Sequence, residues 1–345
     1  MTAIAASFID ALPLPVMVIG PDARIELVNL PARLLVTTGV VGRNYVTALR
    51  QPQLLDAIEQ TGTDRRTRTT SFQASEGGRD TTWRVTVAPV TLASGPGIVL
   101  SFEDITAVEA AGQMRRDFVA NVSHELRTPL TALLGFIETL KGAAREDPVA
   151  RMRFLTMMEA EAGRMSQLVQ DLLSLSRVEE DERVRPMTPV NLSALAASVV
   201  AAFDDRAETV GMKLNLTVPE APVIIPGDAD QLRQVLNNLI ENAIKYGGQG
   251  QPVDIALSEP VPEPGLRADG IRLTVTDRGE GIAAHHIPRL SERFYRVDNH
   301  RSREVGGTGL GLAIVKHIIS RHRGRFKIES ELGQGSRFTV ILPVA

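Results

Sequence analysis

The run Asn121-Val122-Ser123-His124-Glu125-Leu126-Arg127-Thr128-Pro129-Leu130 decides how this chain is read. It lies inside an apolar series, Phe118, Val122, Leu126, Leu130, Leu133, Ile137 and Leu140, whose steps of three and four make one stripe of a helix. His124 is two residues, about 200° of helical rotation, from Val122 on that stripe. It therefore faces away from the buried side, with the carboxylate of Glu125 next to it. A lone His-Glu pair of this kind is usually only a surface feature. A second constellation a hundred residues later changes that reading.

This constellation has four parts in order: Asn238-Leu239-Ile240-Glu241-Asn242-Ala243-Ile244-Lys245-Tyr246, Asp277-Arg278-Gly279-Glu280-Gly281-Ile282, Gly306-Gly307-Thr308-Gly309-Leu310-Gly311-Leu312, and Gly333-Gln334-Gly335-Ser336. On a helix over 230–246, Asn238, Asn242 and Lys245 fall within about 60° of one another. Leu232, Leu236, Leu239 and Ala243 take the other side. One face packs, and the other offers carboxamide oxygens and a cation, a donor set that suits Mg²⁺ when a triphosphate completes its shell. The string Gly306 to Gly309 precedes an apolar helix, so backbone N–H groups and the helix dipole can receive phosphate oxygens. Gly279 and Gly281 allow tight turns and close backbone approach.

With both constellations in view, the chain from about residue 112 to its end resembles the sensor histidine kinases of two-component systems. The match comprises a phosphoacceptor box, an N box, two glycine boxes, the Phe294-Tyr295 segment and a short third glycine box. The resemblance implies ATP and Mg²⁺ as cofactors, His124 as the phosphorylated residue, and a separate response-regulator protein whose aspartate receives the phosphoryl group. It places Glu125 beside the imidazole to orient it and to stabilise the charge that develops there. Thr128 is the family position that holds a water for dephosphorylating the partner; it also reads simply as a hydroxyl before a helix-kinking proline. The nucleotide set is Asn238, Asn242, Lys245, Tyr246, Asp277, Gly279, Gly281, Phe294, Gly307, Thr308, Gly309, Leu310 and Gly311, with Asn238 and Asn242 as the metal ligands. Asp277 matches the position that accepts a hydrogen bond from the adenine amino group, since a carboxylate is an acceptor only. Segment 296–308 reads as a lid carrying Arg296, Arg301 and Arg303, with Phe294 and Tyr295 as hinge or packing. Histidines 285, 286, 300, 317 and 322 lack metal-ligand spacing and read as surface or packing residues.

Two rival functions belong to other classes. Chaperone-like ATPases share the nucleotide block but carry Glu where this chain has Asn238, so a built-in base for hydrolysis is missing here. A catalytically silent scaffold is disfavoured because every position needed for transfer is occupied. The run Gln113 to Val122 most resembles phosphate-regulon sensor kinases, which points to a phosphate-limitation response.

Size and composition agree. The chain has 345 residues, net charge −3 and 43% hydrophobic content, enough for two or three domains of an ordinary globular protein. There is no basic excess to suggest nucleic acid. The absence of cysteine excludes disulfides and a cysteinyl-flavin photosensor, and no histidine before His124 excludes histidine-ligated haem in the first block. No stretch approaches the roughly 18 apolar residues of a membrane span. A cytoplasmic location is expected, for a soluble member of the family or one lacking an anchor.

The fold class read from the pattern is multidomain. Residues 1–106 alternate short β-like runs (Val16–Ile19, Ile25–Val28, Thr82–Val90, Gly97–Glu103) with turns at Pro21-Asp22 and Gly77-Gly78, and resemble an α+β PAS sensor with an Asp104-Ile105-Thr106 exit. Its ligand, a small molecule or a protein, is left open. Residues 107–182 hold two helices, 107–145 and 149–179, joined at Gly142 to Pro148. Two amphipathic helices cannot bury both stripes as an isolated hairpin, so a homodimer with a four-helix bundle is expected. A charged linker, Glu179 to Arg185, leads to residues 188–345, whose helices (192–208, 230–246, 309–322) and strands (213–218, 253–257, 271–276, 325–329, 337–342) suggest an α/β sandwich. Gly265 to Gly270 reads as an exposed loop.

Overall fold

The computed structural model describes residues 3–36, 39–76, 79–180, 184–266, 268–297 and 307–344. It divides into two compact units, Met1–Ala120 and Asn121–Ala345. The predicted turn residues Gly77 and Gly78 lie outside the described residues.

The first unit opens with α1 (Ala3–Asp10), β1 (Val16–Ile19), β2 (Ile25–Val28), α2 (Leu30–Leu35), α3 (Tyr45–Leu49) and α4 (Pro52–Asp64). It continues with β3 (Arg68–Glu76), β4 (Arg79–Leu92) and β5 (Gly95–Asp104). The strands form one antiparallel sheet in the order β2-β1-β5-β4-β3. Met17, Ile25, Leu54, Ile58 and Leu100 are fully buried in its core, and the Phe72 and Phe102 rings meet edge to face at 5.7 Å. Asn29, buried, ties the entry together. Its Oδ1 accepts from the Val16 and Ala32 N–H groups at 2.9 and 3.1 Å, while Nδ2 donates to the Leu14 carbonyl at 2.8 Å. Such a buried amide is stable because its polar atoms are paired. At the exit, the Thr106 N–H donates to Asp104 Oδ1 and Thr106 Oγ1 accepts from the Thr82 N–H, both at 2.9 Å. Strand β4 is thereby bonded to the first residue of the long helix that follows.

That helix is α5 (Thr106–Lys141), 36 residues and about 54 Å at 1.5 Å per residue. It stops four residues short of the expected end, where Gly142 opens the turn. Pro129 sits inside it without interrupting the helix. Helix α6 (Pro148–Glu180) starts where Asp147-Pro148 was expected: Asp147 Oδ1 accepts from the N–H groups of Val149 and Ala150 at 2.9 and 3.0 Å, and Pro148 occupies the first helical position. Residues 179–180 of the expected linker are still helical, and 181–183 lie outside the described residues. No residue of α5 is buried. Phe136 and Phe154 meet across the hairpin at 5.7 Å, but Leu130, Leu134, Leu155, Val169 and Leu173 remain exposed.

The rest of the second unit comprises β6 (Thr188–Asn191), α7 (Leu192–Thr209), β7 (Leu214–Thr217), β8 (Ile224–Gly227), α8 (Ala229–Tyr246) and β9 (Val253–Leu257). It ends with β10 (Val261–Glu263), β11 (Ala268–Asp277), α9 (Gly311–Arg321), β12 (Arg325–Glu331) and β13 (Gly335–Pro343). A mixed sheet runs β12-β13-β11-β9-β7, with β10 paired to β11 and β7 parallel to β9; β6 and β8 form a separate pair. Of the segment read as an exposed loop between strands, Gly265 lies in the turn after β10, whereas Ala268 to Gly270 already belong to β11, with Gly270 paired to Val261 and Pro343. A fully buried His322 sets the start of α8. Its Nε2 accepts from the Asp228 N–H at 3.0 Å and its Nδ1 bonds the Ile318 carbonyl at 2.8 Å, while Asp228 Oδ1 caps α8 through the N–H groups of Asp230 and Gln231. Among the described residues no helix is long and apolar enough to cross a membrane.

Candidate functional site

His124 is exposed on α5, as its distance around the helix from Val122 requires. Glu125 is half-buried, and its carboxylate lies 3.6 Å from Nη1 of Arg296, whose side chain is 9% exposed. The residue expected to orient the imidazole thus also holds the first arginine of the expected lid. The Thr128 hydroxyl donates to the His124 carbonyl at 3.3 Å. A threonine in a helix commonly back-bonds in this way, so in this state its hydroxyl faces the backbone.

Helix α8 presents the two faces expected of it. Leu232, Val235, Leu236, Leu239, Ile240 and Ala243 are buried, while Asn238, Asn242 and Lys245 are half-buried on the other side. Asn238 Nδ2 is buried and makes no hydrogen bond among the described residues. A buried donor without a partner is costly, and its presence marks a place that a bound group would complete. The Asn238 carboxamide faces Gly311 at the start of α9, where any Cβ would stand 3.0 Å from Oδ1. Lys245, its side chain 15% exposed, pairs with Glu241 at 3.2 Å, and Glu241 also takes Arg206 at 3.3 Å. Tyr246 is exposed, and its hydroxyl lies beside Gly307.

Asp277 ends β11 in a buried position and organises the loops around it. Its Oδ1 accepts from the Gly279 N–H at 2.9 Å and from the Ser336 N–H at 3.2 Å. This gives the third glycine box a place: it brings Ser336 against the carboxylate. Burial raises the Asp277 pKa, and the two backbone hydrogen bonds oppose that shift. A side chain at Gly279 would collide with the Tyr246 carbonyl, so only glycine lets the Asp277 loop lie against the end of α8. Gly309 adopts φ +72° directly against the Phe294 backbone, and its carbonyl accepts from the Phe294 N–H at 2.9 Å. Phe294 therefore anchors the glycine box. Leu310 is fully buried behind it. The structure brings Asn238, Gly311, Tyr246, Gly307, Asp277 and Gly279 around one region; of the glycine box and lid, Gly306, Arg301, Arg303 and His300 lie outside the described residues. Among the described residues no group of three or more His, Cys, Asp or Glu could hold a metal. Two carboxamide oxygens do not by themselves fill the shell of a divalent ion, so phosphate oxygens would have to complete it.

The other histidines pack or lie at the surface. His286 Nδ1 bonds the Tyr295 hydroxyl at 2.6 Å, and the His285 ring is 3.9 Å from that of His286. His317 lies 3.7 Å from Glu179.

One set of residues was not anticipated. The Thr308 hydroxyl donates to Asp171 Oδ2 on α6 at 2.7 Å, the Ser174 hydroxyl to Gln234 on α8 at 2.8 Å, and Arg293 to Glu179 at 2.5 Å. Asp171 carried a sequence signal. It lies three residues after Leu168 and four before Leu175, on the apolar stripe of α6, where a carboxylate does not belong without a partner.

Comparisons with known proteins agree with this geometry. Residues 114–181 match the His Kinase A (phospho-acceptor) domain, and residues 227–345 match the histidine kinase-, DNA gyrase B-, and HSP90-like ATPase family. The chain is 41% identical over 251 residues to the phosphate regulon sensor protein PhoR of Pseudomonas aeruginosa, spanning 72% of this chain and 55% of that protein. It is 39% identical over 229 residues to the sensor-like histidine kinase SenX3 of Mycolicibacterium smegmatis, spanning 66% and 57%. The chain thus covers about half the length of these relatives. A solved structure of histidine kinase ThkA in complex with response regulator protein TrrA has the same fold, with 21% identity, 98% of both chains covered and a TM-score of 0.54.

Proposed function

The chain belongs to the sensor histidine kinases of two-component systems, and from that premise we propose that it phosphorylates itself on His124 at the expense of ATP and passes the phosphoryl group to an aspartate of a response regulator. The observation that carries the reading is the pairing, within one compact unit, of a solvent-exposed His124 with a half-built pocket of Asn238, Asp277 and the glycine boxes.

In the proposed reaction a neutral imidazole nitrogen of His124 attacks the γ-phosphorus, the bond to the β-phosphate oxygen breaks, and ADP leaves. Glu125 orients the ring and balances the positive charge that forms on it. Asp277 accepts from the adenine amino group, the box Gly307-Thr308-Gly309 with Lys245 receives phosphate oxygens, and Asn238 and Asn242 are the residues that would hold Mg²⁺. The metal supplies charge neutralisation at the transferring phosphoryl group. Thr128 turns from the helix backbone to hold the water that dephosphorylates the regulator.

The division proposed is a PAS-like sensor over 1–106, a dimerisation and phosphotransfer hairpin over 107–182, and an ATP-binding domain over 188–345. Dimerisation into a four-helix bundle is supported by the 36-residue helix with no buried residue and by the exposed Leu130, Leu134, Leu155 and Leu173. A cytoplasmic site of action and a response to phosphate limitation complete the proposal, the latter supported by the likeness to the phosphate regulon sensor. Incubation of the purified chain with γ-labelled ATP and Mg²⁺ is expected to give acid-labile label that vanishes in His124→Ala and moves to one purified receiver domain among those of the same cell. Free phosphate release that is unchanged in His124→Ala, with no protein label, would reject it.

A further inference from the structure

We propose that Asp171 is an autoinhibitory latch: its carboxylate occupies the phosphate side of the nucleotide pocket and must be displaced before a nucleotide di- or triphosphate can bind. This rests on the nucleotide site proposed above. Asp171 is 7% exposed, although it stands on a helix outside the nucleotide-binding fold. Its Oδ2 accepts from the Thr308 hydroxyl at 2.7 Å and its Oδ1 from Gln167 Nε2 at 2.8 Å. The Thr308 oxygen in turn accepts from the Leu310 N–H at 3.3 Å, at the positive end of α9. The Ser174 hydroxyl, one turn along the same helix, donates to Gln234 at 2.8 Å and so sets this part of α6 beside α8, the helix that carries Lys245.

A hydroxyl donor beside a helix N-terminus is what a phosphate oxygen would use here, and the Asp171 carboxylate already holds that hydroxyl. The carboxylate and a β-phosphate are like charges competing for one set of donors, so they cannot share it without large repulsion. The Ser174–Gln234 and Glu179–Arg293 bonds come from the same helix and reinforce the docked position. Nucleotide binding would therefore loosen α6 from the lobe, and the loosened lobe is the one able to travel to His124.

The test compares Asp171→Asn with the unaltered full chain by titration with ADP and with adenosine. Removing the competing charge is expected to tighten ADP binding about three- to tenfold while leaving adenosine binding unchanged, because only the phosphates meet Asp171. The initial rate of His124 labelling should rise in parallel. ADP binding that is unchanged or weaker in a folded variant overturns the latch, as does an equal gain for adenosine. A second measurement keeps Asp171 in place. Because the chain has no cysteine, Ser174→Cys with Gln234→Cys provides one pair for a short bis-maleimide. Its cross-linking yield should fall on adding ADP but not adenosine, and a yield indifferent to ADP overturns the proposal. Failure of the unaltered chain to label His124 would sink the kinase reading and leave the ADP comparison standing.

Discussion

The helical hairpin and the nucleotide lobe use helices of opposite kinds. Helix α8 buries six apolar residues beneath a sheet of its own unit and keeps its polar face half-covered by glycine-rich loops. Helix α5 is twice as long and buries none. Both have periodic apolar stripes, so the difference does not lie in local pattern. A lobe with a sheet supplies the second layer that a helix needs, whereas two helices alone have too little surface to cover each other. The lobe covers its helices with its own sheet; the hairpin leaves Leu130, Leu134, Leu155 and Leu173 exposed.

The largest effect that would break this comparison is in the cores. Leu239→Ala should destabilise the lobe by about 2–5 kcal/mol, since the removed side chain is fully buried between α8 and the sheet. Leu134→Ala, at a site 55% exposed, should change the melting of the dilute monomer by only about 0.5 kcal/mol or less, yet weaken self-association in sedimentation. Equal melting losses at both sites would show that the hairpin has a core of its own.

An intermediate effect concerns Asp277. Burial raises its pKa, so the carboxylate takes up a proton above the ordinary aspartate range. Its protonated form loses acceptor capacity. ADP affinity should therefore be flat where Asp277 is ionised and fall about tenfold per pH unit once the pH drops below that raised value. Isothermal titration across pH checks it, and Asp277→Asn should bind weakly with no such pH dependence. A wild-type profile as flat as that of the variant would remove Asp277 from base recognition.

The smallest effect comes from His322, which ties the end of α9 to the start of α8. Burial lowers its pKa, so the folded chain resists the proton that the unfolded chain accepts near pH 6.5. Stability from this group is complete above about pH 6.5 and declines as the pH falls below it, by at most about 1.4 kcal/mol per unit, until the folded ring also titrates. Chemical denaturation at pH 7.5 and 5.5 should show a drop that His322→Gln lessens. An unaltered drop would assign it elsewhere.

Much of this was legible in the chain itself. The α8 faces, the start of α6 at Asp147-Pro148 and the outward aim of His124 follow from helical period and capping, which act within a few residues. The short elements were not. Helix α4 has no continuous apolar stripe beyond Leu54, Ala57, Ile58 and Thr61, and β3 shows its core only through Phe72 and Ala74. The pair β6–β8 and the β10–β11 hairpin depend on partners distant in sequence or on a brief turn. Three or four residues carry too little periodicity to announce themselves.

The order of residues alone determined which side chains share a helix face and where glycines permit close approach. Only the tertiary structure decided that Ser336 bonds Asp277, that His322 caps the approach to α8, and that Asp171 holds Thr308 across 137 positions. The reason is range: backbone period and capping are local, whereas a buried carboxylate or imidazole is tolerable only with partners that folding brings from elsewhere.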